Sequence, residues 1–185
     1  MVEQHWKLLA SEPVSDHRIF RLRHDRYRLE TNGAEQNFIV MDSPDWVVVV
    51  PITVDGRIVL VRQYRHGVRQ ESLEPPGGMI DPGEAPDKAA LRELHEETGY
   101  VAQRVRLLGR VSPNPAVQNN WCHLFVAEGC RPDVAPRPDR FECIEVEVCR
   151  PEEIAAMIAD GRICHALAIN AFGFLGLQGS TGDRS

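Results

Sequence analysis

The stretch from Gly78 to Tyr100 constrains this chain more than any other part of it. It runs Gly78-Met79-Ile80-Asp81-Pro82-Gly83-Glu84 and, after seven residues, Arg92-Glu93-Leu94-His95-Glu96-Glu97-Thr98-Gly99-Tyr100. Pro86 near a helix start and Gly99 just past its end bracket a helix of about three turns. Each helical residue advances about 100°, so Glu93, Glu96 and Glu97 share one face. Leu91 and Leu94 fall on the other side and are expected to bury against a sheet. Arg92 lies four residues before Glu96 and can pair with it, orienting that carboxylate. Three like charges on one face repel one another. Hard divalent ions such as Mg²⁺ or Mn²⁺ offset that repulsion, because they favour carboxylate and water oxygens. Glu84, in the loop before the helix, can close such a site from above. The turn at Gly77-Gly78 leaves carbonyl groups for ligation and lets a substrate approach closely.

The remaining sequence reads mainly as strands. Residues 5–9 and 17–23 look like short strands, and Asn32-Gly33 is a hairpin signal between Tyr27-Arg28-Leu29 and Phe38-Ile39-Val40. A meander this poor in large apolar residues is marginal alone and should lean on the main domain or on a partner subunit. Trp46–Val54 is rich in β-branched residues, as a buried strand should be, with Pro51 implying a bulge or an edge. Asp55-Gly56 turns the chain into Arg57–Arg65, a second long strand. Residues 71–74 suggest a short strand, ended by an irregular Pro75-Pro76-Gly77-Gly78. Strands are expected at 105–111, 122–127 and 144–148, and helices from Pro151 and over 165–177. Residues 128–140 read as a flexible connection and residues 178–185 as a disordered tail. The expected organisation is an N-terminal β-meander, 1–42, followed by a main domain, 43–177. The fold class is α+β, a mixed sheet flanked by helices.

Composition narrows the function. The 185 residues carry a net charge of −6 and no Lys/Arg block, which argues against nucleic acid as a partner. An acidic chain still binds a polyanion when divalent ions bridge the two. Five cysteines without a C-x-x-C pair argue against a disulfide framework or a zinc site. No signal peptide or membrane-length apolar run is visible, so a cytoplasmic protein is expected.

The glycine–glutamate stretch resembles the Nudix box, G-x5-E-x7-R-E-U-x-E-E-x-G-U, where U is a bulky aliphatic residue. Gly78, Glu84, Arg92, Glu93, Glu96, Glu97 and Gly99 match its seven fixed positions, and Leu94 its first U. Tyr100 stands where an aliphatic residue is usual. Seven residues at this spacing arise by chance on the order of 10⁻⁸ times per starting position. The resemblance implies an α/β/α sandwich that hydrolyses a nucleoside diphosphate linked to another moiety, with Mg²⁺ or Mn²⁺. It implies metal ligation by Glu93, Glu96, Glu97 and a carbonyl near Gly77. It also makes Arg92, Glu93 and Glu96 catalytic residues, with Arg92 orienting a carboxylate.

Beyond the box, Trp6 through about Leu177 is similar to the ADP-ribose pyrophosphatase branch, including Pro44-Asp45-Trp46, Val61-Arg62-Gln63-Tyr64-Arg65 and the downstream Pro115. That likeness implies ADP-ribose, cleaved to AMP and ribose 5-phosphate, as substrate, and a homodimer that exchanges its N-terminal sheets. GDP-mannose or another nucleotide sugar or dinucleotide is the alternative substrate, and a non-catalytic nucleotide sensor the alternative class. Arg65 is either a phosphate contact or an exposed strand-end arginine. Trp46 either stacks on the base or packs in a core or interface. Glu142 stands where the branch often carries a water-activating carboxylate in a mobile loop. His95 and His123 are expected on a helix surface and a strand.

Overall fold

A computed structural model describes residues 5–136 and 143–179. The chain divides into two compact units, Met1–Pro44 with Ser112–Trp121, and Asp45–Val111 with Cys122–Ser185. In the first, β1 (Trp6–Asp16), β2 (Arg21–Leu29) and β3 (Ala34–Asp42) form an antiparallel sheet in that order. The expected hairpin is present, with Leu29 opposite Ala34. The first strand, however, continues from Trp6 to Asp16, and residues 17–20 make a turn instead of beginning the second. Register shifts, one of them between Pro13 and Ser15, let the ladder pass the proline, which cannot donate. The 112–121 loop joins this unit through the Met41 amide, which donates to the Val117 carbonyl at 2.7 Å.

In the second unit, β4 (Trp46–Thr53) is central. It pairs in parallel with β10 (Cys122–Pro132), which pairs antiparallel with β9 (Arg104–Val111) and the short β8 (Tyr100–Val101). On its other side β4 meets β5 (Ile58–Arg65) at a single residue pair, Ile52 with Ile58, and the two strands then part. The chain fills the wedge between them. β6 (Gln70–Glu74) pairs with β5, and β7 (Gly77–Met79) pairs with β4. The stretch expected to be irregular therefore contains a short strand, because β4 offers it a free edge. Pro51 sits at the apex of the wedge, next to the last β4–β5 pair, so the edge its missing donor implied is a local one. β11 (Glu145–Cys149) closes the far side of β5.

Alternation along β4 distributes two cores. Val47 and Val49, with Phe125 and Ala127, pack against Ala89, Ala90 and Leu94 of α1 (Pro86–Thr98). Val48 and Val50, with Leu60, Leu124 and Val126, pack against α2 (Ile154–Ala159) and α3 (Ala166–Gly179). The helices thus cover both faces of a mixed sheet, as the α+β reading requires. Two boundaries differ from expectation. β10 extends to Pro132, through residues expected to be a flexible connection, because β8 pairs with its end. α3 continues to Gly179, where Gln178 donates to the Leu108 carbonyl at 2.8 Å. No helix among the described residues is long and apolar enough to cross a membrane.

Candidate active site

The wedge brings the glycine loop under the glutamate helix. The Gly77 amide donates to Glu97 Oε2 at 3.0 Å, and Glu97 is only 4% exposed. A Cβ on Gly77 would run into the Val47 carbonyl, and one on Gly78 would meet the Glu93 carboxylate, its carbon at 2.6 Å. Gly77 needs glycine because β7 lies hard against the β4 backbone, and at Gly78 the glycine makes room for the Glu93 carboxylate.

Arg92 organises the rest. Its Nε and Nη2 donate to the two oxygens of Glu84, at 3.0 and 2.9 Å, a bidentate pair. Nη1 reaches Glu93 Oε1 at 2.8 Å and Glu96 Oε2 at 3.2 Å, and Nη2 also donates to the Met79 carbonyl at 3.0 Å. One guanidinium therefore gathers three of the four glutamates of the stretch and ties them to β7. The Arg92 hydrogen bond holds the Glu84 carboxyl below its ordinary range, and the same pairing raises Arg92 further above its own. The expected Arg92–Glu96 pair is present, but Glu84 is the closer partner.

The remaining candidates divide. Arg65, at the end of β5, spends Nε and Nη2 on Glu74, at 2.9 and 2.6 Å. Trp46 packs against the core on the α2–α3 side, the sheet face opposite α1. Glu142 lies outside the described residues. His95 and His123 pair with Asp133 and Asp45, at 3.6 and 3.1 Å. Glu74 and His165 had no signal in the sequence: Glu74 is buried, and His165 Nδ1 lies 2.8 Å from its Oε2. Their meeting depends on residues 91 positions apart in the chain, which no local pattern reports.

Comparison with known proteins agrees with this geometry. A family model described as the NUDIX domain matches residues 43–170, which include the whole wedge and α1. The chain belongs to the Nudix hydrolase family. This Nudix hydrolase is 31% identical over 173 residues to the methanol dehydrogenase activator of Bacillus methanolicus, covering 93% of each chain. It is 28% identical to the ADP-ribose pyrophosphatase of Bacillus subtilis (strain 168), again over 93% of each. A crystal structure of an ADP compounds hydrolase superimposes with a TM-score of 0.85 at 25% identity, over 98% of both chains. These likenesses place it in the ADP-ribose pyrophosphatase-like branch of the Nudix hydrolases.

Among the described residues no three His, Cys, Asp or Glu side chains converge as a formed metal site. The donor chemistry of α1 nevertheless fits a hard divalent ion. Glu93, Glu96 and Glu97 lie on one helix face, and Glu93 and Glu96 share a single guanidinium, leaving the group with excess negative charge.

Proposed function

We propose that this Nudix hydrolase cleaves the diphosphate of a nucleoside diphosphate sugar, ADP-ribose to AMP and ribose 5-phosphate. The observation that carries the reading is the carboxylate face of α1 held against Gly77 and Gly78. Glu93, Glu96 and Glu97, with the Gly77 carbonyl, would hold Mg²⁺ or Mn²⁺, which supplies charge neutralisation at the diphosphate and acidifies the attacking water. Arg92 keeps Glu93 and Glu96 in place and fastens them to β7. Gly78, whose missing side chain makes room for the Glu93 carboxylate, is assigned to close approach of the substrate. Arg65 is assigned to the substrate, Trp46 to the base or to packing, and Glu142 to activation of the water.

A homodimer formed through the N-terminal sheet is part of this proposal. It is supported by Trp6, Leu8, Val14, Ile19 and Ile39, which are exposed large apolar side chains. Light scattering that gives the mass of one chain would remove it. A cytoplasmic location suits the free cysteines at 122, 130, 143, 149 and 164.

The test is product release from ADP-ribose, GDP-mannose, other nucleotide sugars and dinucleotides, with Mg²⁺ and with EDTA. ADP-ribose should be turned over fastest, and only with the metal. Preference for GDP-mannose would move the substrate within the class, and inactivity on every compound would favour a nucleotide sensor. The similar methanol dehydrogenase activator favours a second reading, action on a partner enzyme. Turnover that appears only when a partner is added would select it.

A further inference from the structure

We propose that His123 and Asp45 are positioning residues that hold the exit of β7, residues 79–84, against Arg92, and so fix the carboxylate face of α1 for a divalent ion. The assignment rests on the metal reading above. The α1-facing positions of β10 are His123, Phe125 and Ala127, which pair with Val47, Val49 and Pro51 of β4. Phe125 and Ala127 pack in the core beneath α1, where an apolar side chain belongs. The first position is instead a histidine, and its side chain is only 17% exposed. Burying a polar ring is unfavourable unless it is hydrogen-bonded, and His123 Nε2 lies 3.1 Å from Asp45 Oδ2. A carboxylate only accepts, so Nε2 carries the proton. Packing alone would be met by a third apolar side chain, so the polar pair has another reason to be there.

That reason lies in the Asp45 backbone. The Asp45 carbonyl accepts from the Ile80 amide at 2.9 Å, just beyond the Trp46–Met79 pair that ends β7. From Ile80 the chain turns directly into the arginine network. The Asp81 amide donates to Glu84 Oε2 at 3.1 Å, and Arg92 Nη2 donates both to Glu84 Oε2 at 2.9 Å and to the Met79 carbonyl at 3.0 Å. Met79 and Ile80 are therefore gripped from two sides, by Arg92 on the helix and by Asp45 on the sheet. His123 braces the second grip, because it fixes the Asp45 side chain. Register sets the brace close to the site. His123 pairs with Val47, and Val47 with Gly78, the glycine that faces Glu93. Two strand spacings, about 10 Å, thus separate the histidine from that glycine. Slack at Asp45 would let Met79 and Ile80 withdraw from the helix, and Arg92 would lose the Met79 carbonyl and its alignment on Glu84. Glu93 and Glu96 hang on the same guanidinium and would lose their aim with it.

Hydrogen exchange and thermal melting in EDTA, with Mn²⁺ titration by calorimetry, check this on the full chain. The forms compared are the wild type, His123→Val, His123→Gln, Asp45→Ala and Glu97→Gln. His123→Val completes the apolar row and should melt close to the wild type. Its amides over residues 79–84 should nevertheless exchange about tenfold faster, the size of one lost hydrogen bond in a local opening, while those of β11 and α3 keep their rates. Mn²⁺ affinity should fall about tenfold, as when the outer support of a ligand is removed. His123→Gln, whose amide can still donate to Asp45, should recover part of both losses. Adding His123→Val to Arg92→Lys should weaken Mn²⁺ binding little beyond Arg92→Lys alone, because both act through one loop. Wild-type exchange over 79–84, or wild-type Mn²⁺ affinity, in His123→Val would overturn the proposal, and so would full additivity with Arg92→Lys. If His123→Val fails to fold, Asp45→Ala, at a partly exposed position, decides by the same measurements. Loss of Mn²⁺ binding in Glu97→Gln but not in His123→Val or Asp45→Ala would overturn this proposal and leave the metal reading standing. A wild type that takes up no Mn²⁺ would overturn the metal reading and this proposal together.

Discussion

Two ion networks of opposite composition are built around carboxylates that precede and follow Gly77 in the chain. On α1, one guanidinium serves three carboxylates, Glu84, Glu93 and Glu96, with Glu97 buried beside them. At the end of β6, one buried carboxylate serves Arg65 and His165. The first network leaves negative charge over, and Glu96 is 48% exposed, so its carboxylates can turn toward an incoming cation. The second sinks its single negative charge and leaves its nitrogen-bearing partners, Arg65 and His165, partly exposed. The contrast shows that in an acidic protein the sign of the charge is arranged locally.

The sharpest way to break the comparison is at Glu97. Glu97→Gln keeps an oxygen to accept from the Gly77 amide but removes the charge, and kcat for ADP-ribose with Mg²⁺ should fall about 10³-fold. A variant that kept wild-type turnover would show that α1 does not hold the metal. Gly78→Ala should follow, with activity down about 10²-fold, because the new methyl displaces the Glu93 carboxylate from a position that tolerates little error. Its melting temperature should move far less than its rate, and a metal titration should show weakened affinity. Arg92→Lys loses the bidentate grip on Glu84 while keeping a positive charge, and a loss of about 10- to 100-fold in activity is expected, the range seen when a ligand's supporting contacts are removed.

The smallest expected effect tests the other network through stability. Glu74 has a folded-state pKa of about 2 against an ordinary 4.5. A depressed carboxyl stabilises the fold above its unfolded pKa, and that contribution disappears as the pH falls from about 4.5 towards 2. Glu74→Gln should therefore destabilise the protein by about 2 kcal/mol at neutral pH. That is less than a fully buried pair would cost, since Arg65 and His165 remain partly solvated. Denaturant unfolding at a series of pH values should show the wild-type and variant curves converging across that acid window. Curves that stayed parallel would mean that Glu74 is not held ionised by its two partners.

Much of the first network was legible in advance. Helical spacing alone put Glu93, Glu96 and Glu97 on one face and Leu94 on the other, and Leu94 is fully buried. The helix bounds and the Asn32-Gly33 hairpin were readable because capping and turn chemistry act over a few residues. Less legible was the strand at Gly77–Met79, since glycines signal irregularity by themselves and become a strand only when β4 and β5 part to receive them. The path of residues 112–121 was also hidden. That loop and the N-terminal meander belong to one unit, joined at Met41 and Val117.

The sequence by itself determined the family, because the residues that carry its motif sit on one loop and one helix, where spacing is geometry. Only the tertiary structure decided which partner each charge takes: that Arg92 gathers Glu84 as well as its helical neighbours, and that Glu74 draws in His165 from beyond the last strand. The first follows from how the loop before α1 folds back on the helix, and the second from burial that joins residues 91 positions apart, which no short run of residues encodes.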